Sequence, residues 1–261
     1  MSLFLLGSSL CACAPFSRTP TPTLPALTST PSPTVGFPTL PPTPTLTPAP
    51  SLTPTPDIRA LLGTTLFHDD FSTDQGWDLS SDFLGASSLE AGRLVLALHQ
   101  TGTFRYVLVP QVRAQDFYLQ VTLRAELCNP NDEFGVMIRF TPDGENYRIG
   151  LHCDGRARIT RVLSDSSIAL VLPTASPLII PGAPAENVLG VLAEGDTLRL
   201  FINGFEAFVA RDRVLRAGRV ALFVRASRSA QLTVAFDNLE ITSLLPTPTP
   251  ATPTRLPTPT P

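Results

Sequence analysis

Lysine is missing from this chain. Its 261 residues carry 19 basic side chains, all arginine, against 22 carboxylates, for a formal net charge of −3. That balance lacks the basic surplus that nucleic-acid binding demands, so no nucleic-acid partner is expected. No apolar run approaches the ~20 residues of a membrane-spanning helix, and no stretch keeps a helical period, which removes the all-helical folds. The three histidines, His68, His99 and His152, are far apart, with no two at ligand spacing. The four cysteines, Cys11, Cys13, Cys128 and Cys153, lack the clustered spacing of a zinc site. A Gly-x-Ser-x-Gly nucleophile elbow is also absent.

What is abundant is proline, 28 residues concentrated at the two ends. From Ala14 to Pro56 the chain is dominated by Pro, Thr, Ser and Leu, and no acidic residue precedes Asp57. Proline fixes φ and removes a backbone donor, so this segment is expected to be disordered, extended and polyproline-like. About forty residues at ~3 Å each reach on the order of 100 Å, enough to serve as a stalk. Residues 245–261 repeat the composition as a tail. The threonines suit O-glycosylation as well as they suit a bare solvated linker.

Residues 1–13 read as an export signal: a short apolar run, Leu3 to Leu10, closes on small residues. Leu10-Cys11-Ala12-Cys13 resembles the lipobox of bacterial lipoproteins, which implies a lipid on Cys13 and a protein exported and anchored on the extracytoplasmic face of a membrane. The other reading is an unprocessed apolar tip.

Between Asp57 and Leu244 the texture changes to short alternating runs separated by Gly, Asn and Asp turns. In Phe117-Tyr118-Leu119-Gln120-Val121-Thr122-Leu123-Arg124 the odd positions are apolar and the even ones polar, as in a strand with one face in a core. Asp143-Gly144, Asp154-Gly155 and Asn203-Gly204 separate such runs, and these pairs are strong hairpin signals because both residues tolerate positive φ. One all-β domain is expected, about a dozen antiparallel strands in two packed sheets.

Several segments then look familiar: Phe67-His68-Asp69-Asp70-Phe71 leading to Gly76-Trp77, Asp132-Glu133-Phe134-Gly135-Val136, Gly195-Asp196-Thr197-Leu198-Arg199-Leu200-Phe201-Ile202-Asn203-Gly204, and Val234-Ala235-Phe236-Asp237-Asn238-Leu239. Together they resemble the concanavalin-A-like superfamily, in its laminin-G-like and 3-keto-disaccharide-hydrolase-like forms. The resemblance covers Thr64 to Ser243 and implies an antiparallel jelly-roll β-sandwich whose first and last strands lie close. It also implies a concave sheet on which relatives often bind sugars.

Glycosidases of this fold use a Glu-x-Asp-x-x-Glu strand, in which the spacing of two carboxyls makes the chemistry. The one Glu-x-Asp here, Glu194-Gly195-Asp196, has Arg199 where the second Glu should stand and reads as a solvated turn. No catalytic residue is assigned. If the apolar sets Phe117/Leu119/Val121/Leu123, Phe134/Val136/Ile138/Phe140 and Tyr147/Ile149/Leu151 point inward, the opposite face carries Tyr118, Arg124, Arg139, Arg148, His152 and Arg158. Such a face suits acidic or hydroxyl-rich glycans, since a guanidinium fork pairs with carboxylates. An ordinary solvated sheet face is the competing reading.

Cys128 and Cys153 should return to the same sheet edge and form a disulfide worth roughly 3 kcal/mol. Asp69, Asp70, Asp237 and Asn238, on first and last strands that should pair, are candidate ligands for a structural Ca²⁺; no other cofactor is expected. Trp77, the only tryptophan, reads as packing under the sandwich edge rather than as a sugar platform. The expected function is a non-enzymatic, surface-held module binding a polysaccharide or cell-envelope glycan. A glycoside-cleaving enzyme and a structural interaction module are the alternatives.

Overall fold

The computed structural model describes residues 58–227 and 231–246. Cys11, Cys13, the 14–56 segment and residues 247–261 of the tail lie outside the described residues. After a 3₁₀ turn at Ile58–Leu61 come β1 (Leu62–Asp69), β2 (Gly85–Glu90), β3 (Arg93–Leu98), β4 (Phe104–Ala114) and β5 (Phe117–Leu127). Next are β6 (Glu133–Phe140), β7 (Asn146–His152), β8 (Arg156–Val162), β9 (Ser167–Ala175) and β10 (Ala185–Glu194). β11 (Thr197–Ile202), β12 (Phe205–Arg211), β13 (Gly218–Arg225) and β14 (Leu232–Leu244) complete the described strands.

They form two antiparallel sheets of a jelly-roll sandwich. The first runs β12-β11-β10-β5-β14-β3-β2, with β1 also paired to β14. The second runs β4-β13-β6-β7-β8-β9. First and last strands meet as expected, from Leu62 opposite Leu244 to Asp69 opposite Leu239. The Asp-Gly turns join β6 to β7 and β7 to β8. Asn203 and Gly204 join β11 to β12 with φ of 52° and 86°, the pair of left-handed residues that a two-residue hairpin of matching twist requires.

The period-two pattern of β5 is realised, its odd residues from Phe117 to Ala125 being buried. They meet Val136, Ile138, Tyr147, Ile149 and Leu151 of the second sheet in one continuous core. Strand β6 departs from the pattern, because seven of its eight residues are buried. Its outer face is covered too, by a second small apolar cluster of Met137, Ala221 and Phe223 with Leu108 and Phe140 against it.

Cys128 and Cys153 are disulfide-bonded, with Cα atoms 6.0 Å apart. The expected pairing is correct but its setting is not. Cys128 follows β5 of the first sheet and Cys153 follows β7 of the second, so the bond ties the two sheets together at one end of the sandwich.

Candidate functional site

The six side chains expected on one polar face are divided among three places. Residues opposite one another across a ladder share a face, so register assigns each of them. Tyr118 and Arg124 stand on the outer face of the first sheet, opposite Thr242 and Leu192, and Ala235 and Glu186, respectively. Arg148, His152 and Arg158 stand on the outer face of the second sheet, opposite Met137, Glu133 and Gly150. Treating β5 as a neighbour of β6 was the error: the link between them crosses from one sheet to the other.

Arg139 is on neither outer face. Between Arg219 and Ala221 the β6–β13 register slips, so that one residue of β13 faces two of β6. Arg139 takes the bulge with φ of 51°. Its guanidinium is fully buried and donates to the carbonyl oxygens of Gln115 and Leu215 and, at 3.5 Å, to Asp116. Burial pulls its pKa below the usual arginine range, opposed by Asp116. The same bulge turns Phe140, expected inside, onto the outer face opposite Arg219.

The first sheet's outer face is acid-rich and self-paired. Arg93 lies 4.0 Å from Glu126 and 3.5 Å from Asp237, Arg124 is 2.7 Å from Glu126, and Arg199 is 3.1 Å from Glu206. Tyr118 fills the space left by Gly190, where a Cβ would stand 2.6 Å from its hydroxyl. It is therefore a packing residue, its pKa raised by that burial and by Glu240.

The second sheet's outer face is built around Glu133, which is fully buried. Its neighbours across the ladder are Arg225 and His152. Oε2 accepts from Nε of Arg225 at 2.9 Å, and Nη2 of Arg225 stands 2.8 Å away. Oε1 lies 3.2 Å from Nε of Arg158, close enough for an ion pair but not aligned as a hydrogen bond. The carboxylate lies over Gly150, the only residue type whose missing side chain leaves that slot. Arg148 puts its guanidinium 4.6 Å from the Phe104 ring centroid and 5.5 Å from that of Phe223. Burial lowers its pKa, partly offset by Glu133. His152, 4% exposed, has no hydrogen-bond partner for either ring nitrogen among the described residues. Its pKa is pushed down by burial, with Glu133 opposing.

Beside these charges runs a row of aromatic rings that the sequence reading missed. Phe104 and Tyr106 on β4 are 5.9 Å apart between centroids, Tyr106 is 5.3 Å from Phe140, and Phe104 is 5.7 Å from Phe223. Phe104 is 37% exposed and Tyr106 42%, so the row presents open ring surface. A pocket of about 290 Å³ lined by Gly76, Asp78, Tyr106, Leu108, Pro110 and Arg219 continues from it. The alternation Phe104-Arg105-Tyr106 was the available signal, and Glu133 and Arg225 were legible only as members of strand runs.

The positions two and five beyond Glu133 are Gly135 and Ile138, so β6 offers no second carboxylate, and the first is held by two guanidinium groups. Paired-carboxyl hydrolysis has no footing on this strand. At the strand junction, Asp69 is buried and accepts Trp77 Nε1–H at 2.8 Å and the Phe71 amide at 2.7 Å. Asp70 accepts from the Ser72 hydroxyl and amide, and Asp237 faces Arg93. No group of three or more His, Cys, Asp or Glu able to hold a metal occurs among the described residues. Trp77 is buried against Phe67 and Phe71, as expected.

No family model matches the chain, and no curated protein matches it by sequence. Solved structures do match by shape. The carbohydrate-binding module CBM66 from Bacillus subtilis is 17% identical with a TM-score of 0.51, covering 64% of this chain and 96% of its own. A β-1,3-1,4-glucanase (lichenase) derived from a mouse hindgut metagenome is 12% identical with a TM-score of 0.52, covering 70% and 100%. LamA from Z. galactanivorans, solved with laminaritriose and laminaritetraose, is 10% identical with a TM-score of 0.52, covering 70% and 100%. With the two-sheet topology and the pairing of first and last strands, these likenesses give the fold: the described residues form a concanavalin-A-like jelly-roll sandwich.

Proposed function

We propose that this protein is a non-enzymatic carbohydrate-binding module that takes a polysaccharide or envelope glycan on the outer face of its second sheet, held at a membrane surface by a lipid on Cys13 and a Pro/Thr-rich stalk. The observation that carries the reading is the exposed ring row of Phe104 and Tyr106 beside Arg148, Arg158 and Arg225. Aromatic faces accept the apolar side of a pyranose while guanidinium groups donate to its oxygens. That two of the similar folds are named for a carbohydrate-binding module and for a complex with laminari-oligosaccharides supports it. The single carboxylate of β6 favours binding over cleavage.

A glycan array probed with the full chain tests the reading. Truncating a stacking ring costs about 1 kcal/mol, so Phe104→Ala with Tyr106→Ala should weaken binding at least tenfold. No glycan bound, or binding indifferent to both substitutions, overturns it. Release of reducing ends from a bound glycan would instead favour the glycoside-cleaving alternative. Fractionation of cells labelled with a fatty-acid analogue, with Cys13→Ser as the control, tests the anchor.

A further inference from the structure

We infer that Arg148 receives an anionic group of the bound sugar, so that the preferred glycan carries a carboxylate or a sulfate; this rests on the carbohydrate-binding reading above. Three guanidinium groups, those of Arg148, Arg158 and Arg225, lie around the one buried carboxylate of this face, Glu133. Arg225 and Arg158 take the two oxygens of Glu133. The Arg148 side chain makes neither a hydrogen bond nor an ion pair among the described residues, and its Nε is buried without a partner. Its charge is held by the faces of Phe104 and Phe223, which fix the planar group while leaving its in-plane N–H donors uncommitted. A fork fixed in this way loses little freedom on meeting a two-oxygen acceptor, and carboxylate and sulfate both present one.

His152 is a second, independent pointer. It lies on the same face of β7, separated from Arg148 by Gly150 with the Glu133 carboxylate over it, and is more than nine-tenths buried with both ring nitrogens unpartnered. Buried polar groups ordinarily have partners. A neutral imidazole there offers one donor and one acceptor, the complement of a sugar hydroxyl. A ring resting on Phe104 and Tyr106 thus places a charged substituent toward Arg148, while His152, three strands from Phe104 in the sheet order, would meet a neighbouring unit of the same polymer. On the opposite sheet face Arg93, Arg124 and Arg199 are already paired with Glu126, Asp237 and Glu206, whereas the Arg148 fork is uncommitted.

Matched pairs of polymers test the inference on the full chain by calorimetric titration at 150 mM salt: polygalacturonate against its methyl ester, and dextran sulfate against dextran. The acidic member of at least one pair should bind ten or more times tighter than its neutral partner, and the pair that shows it identifies carboxylate or sulfate. Arg148→Gln should remove that preference, while Arg199→Gln, an equal charge loss on the other sheet, should keep it. Should Arg148→Gln fail to fold, Arg148→Lys keeps charge and stem but loses the fork, and should still cost several-fold. Equal binding of both members overturns the inference and leaves the glycan reading standing. A preference lost equally in the Arg148 and Arg199 variants overturns it as general charge attraction. Failure of all four polymers together with an empty glycan array removes both.

Discussion

The carboxylate of Glu133 occupies the place where any residue but glycine at position 150 would carry its Cβ. A methyl there would stand 2.5 Å from Oε1, 2.6 Å from Cγ and 2.9 Å from Cδ. One glycine thus lets a buried acid lie flat across β7 and meet guanidinium groups from β13, next to its own strand, and from β8, beyond β7.

Gly150→Ala should therefore force Glu133 out of its slot and disturb both of its ion pairs. Overpacking of this kind costs about 1–3 kcal/mol, or a few degrees of melting temperature for a domain of this size. Gly135→Ala should be worse, since its Cβ would meet the Ile149 carbonyl oxygen at 2.2 Å and backbone cannot swing aside. Scanning calorimetry should rank wild type above Gly150→Ala and that above Gly135→Ala. A Gly150→Ala protein that melts like wild type would show that the carboxylate does not need the slot.

Arg139 and Arg148 stood together in the sequence reading and should now separate cleanly. Arg139→Ala leaves the Gln115 and Leu215 carbonyl oxygens without their buried donor and should cost about 2–4 kcal/mol in urea unfolding. It should change glycan affinity little under conditions where the variant stays folded. Arg148→Gln should do the reverse, lowering affinity with a smaller loss of stability. Equal effects of both on binding would mean that Arg139 reaches the ligand after all.

How far the sequence could be read divides at a specific physical boundary. Alternation in β5, the Asn203-Gly204 turn and the meeting of β1 with β14 follow from local patterning and from the family likeness, and each is realised. The candidate face depended on which strands share a sheet, which alternation cannot report. Residues on β5 and β7 have the same period whether their strands are neighbours or lie in opposite sheets. The bulge at Arg139 was hidden for a related reason: one extra residue reverses the facing of Phe140 without altering the apolar count of the strand. Phe104 and Tyr106 escaped notice because an outward aromatic on an edge strand looks like an inward one until register assigns the face.

Because Cys128 and Cys153 join different sheets, their bond restrains sandwich opening as well as a chain loop. The 25-residue separation gives a loop-closure contribution of about 3 kcal/mol. Cys128→Ser with Cys153→Ser should lower the melting point by roughly 6–12 °C. The lone Trp77, buried against Phe67 and Phe71, gives a fluorescence signal for that measurement. An unchanged melting point in oxidising buffer would exclude the staple as a source of stability.

His152 supplies a pH dependence whose sign is fixed by burial. In the folded chain burial holds its pKa below the ordinary histidine value, with Arg156 and Arg158 acting in the same sense and Glu133 and Asp154 against it. Unfolded, it titrates near ~6.5. Between the two values the unfolded chain binds the extra proton, so stability rises with pH there. The contribution of the neutral imidazole is fully present above about pH 6.5 and is lost progressively as pH falls toward the lower folded-state value. Carboxylates titrate in the wild type and in His152→Gln alike, so the difference between the two isolates the imidazole. Urea unfolding at pH 7.5 and at pH 5 should show the wild type losing more stability than the variant. Parallel losses would place the His152 ring in contact with solvent and remove it from the buried face it shares with Glu133.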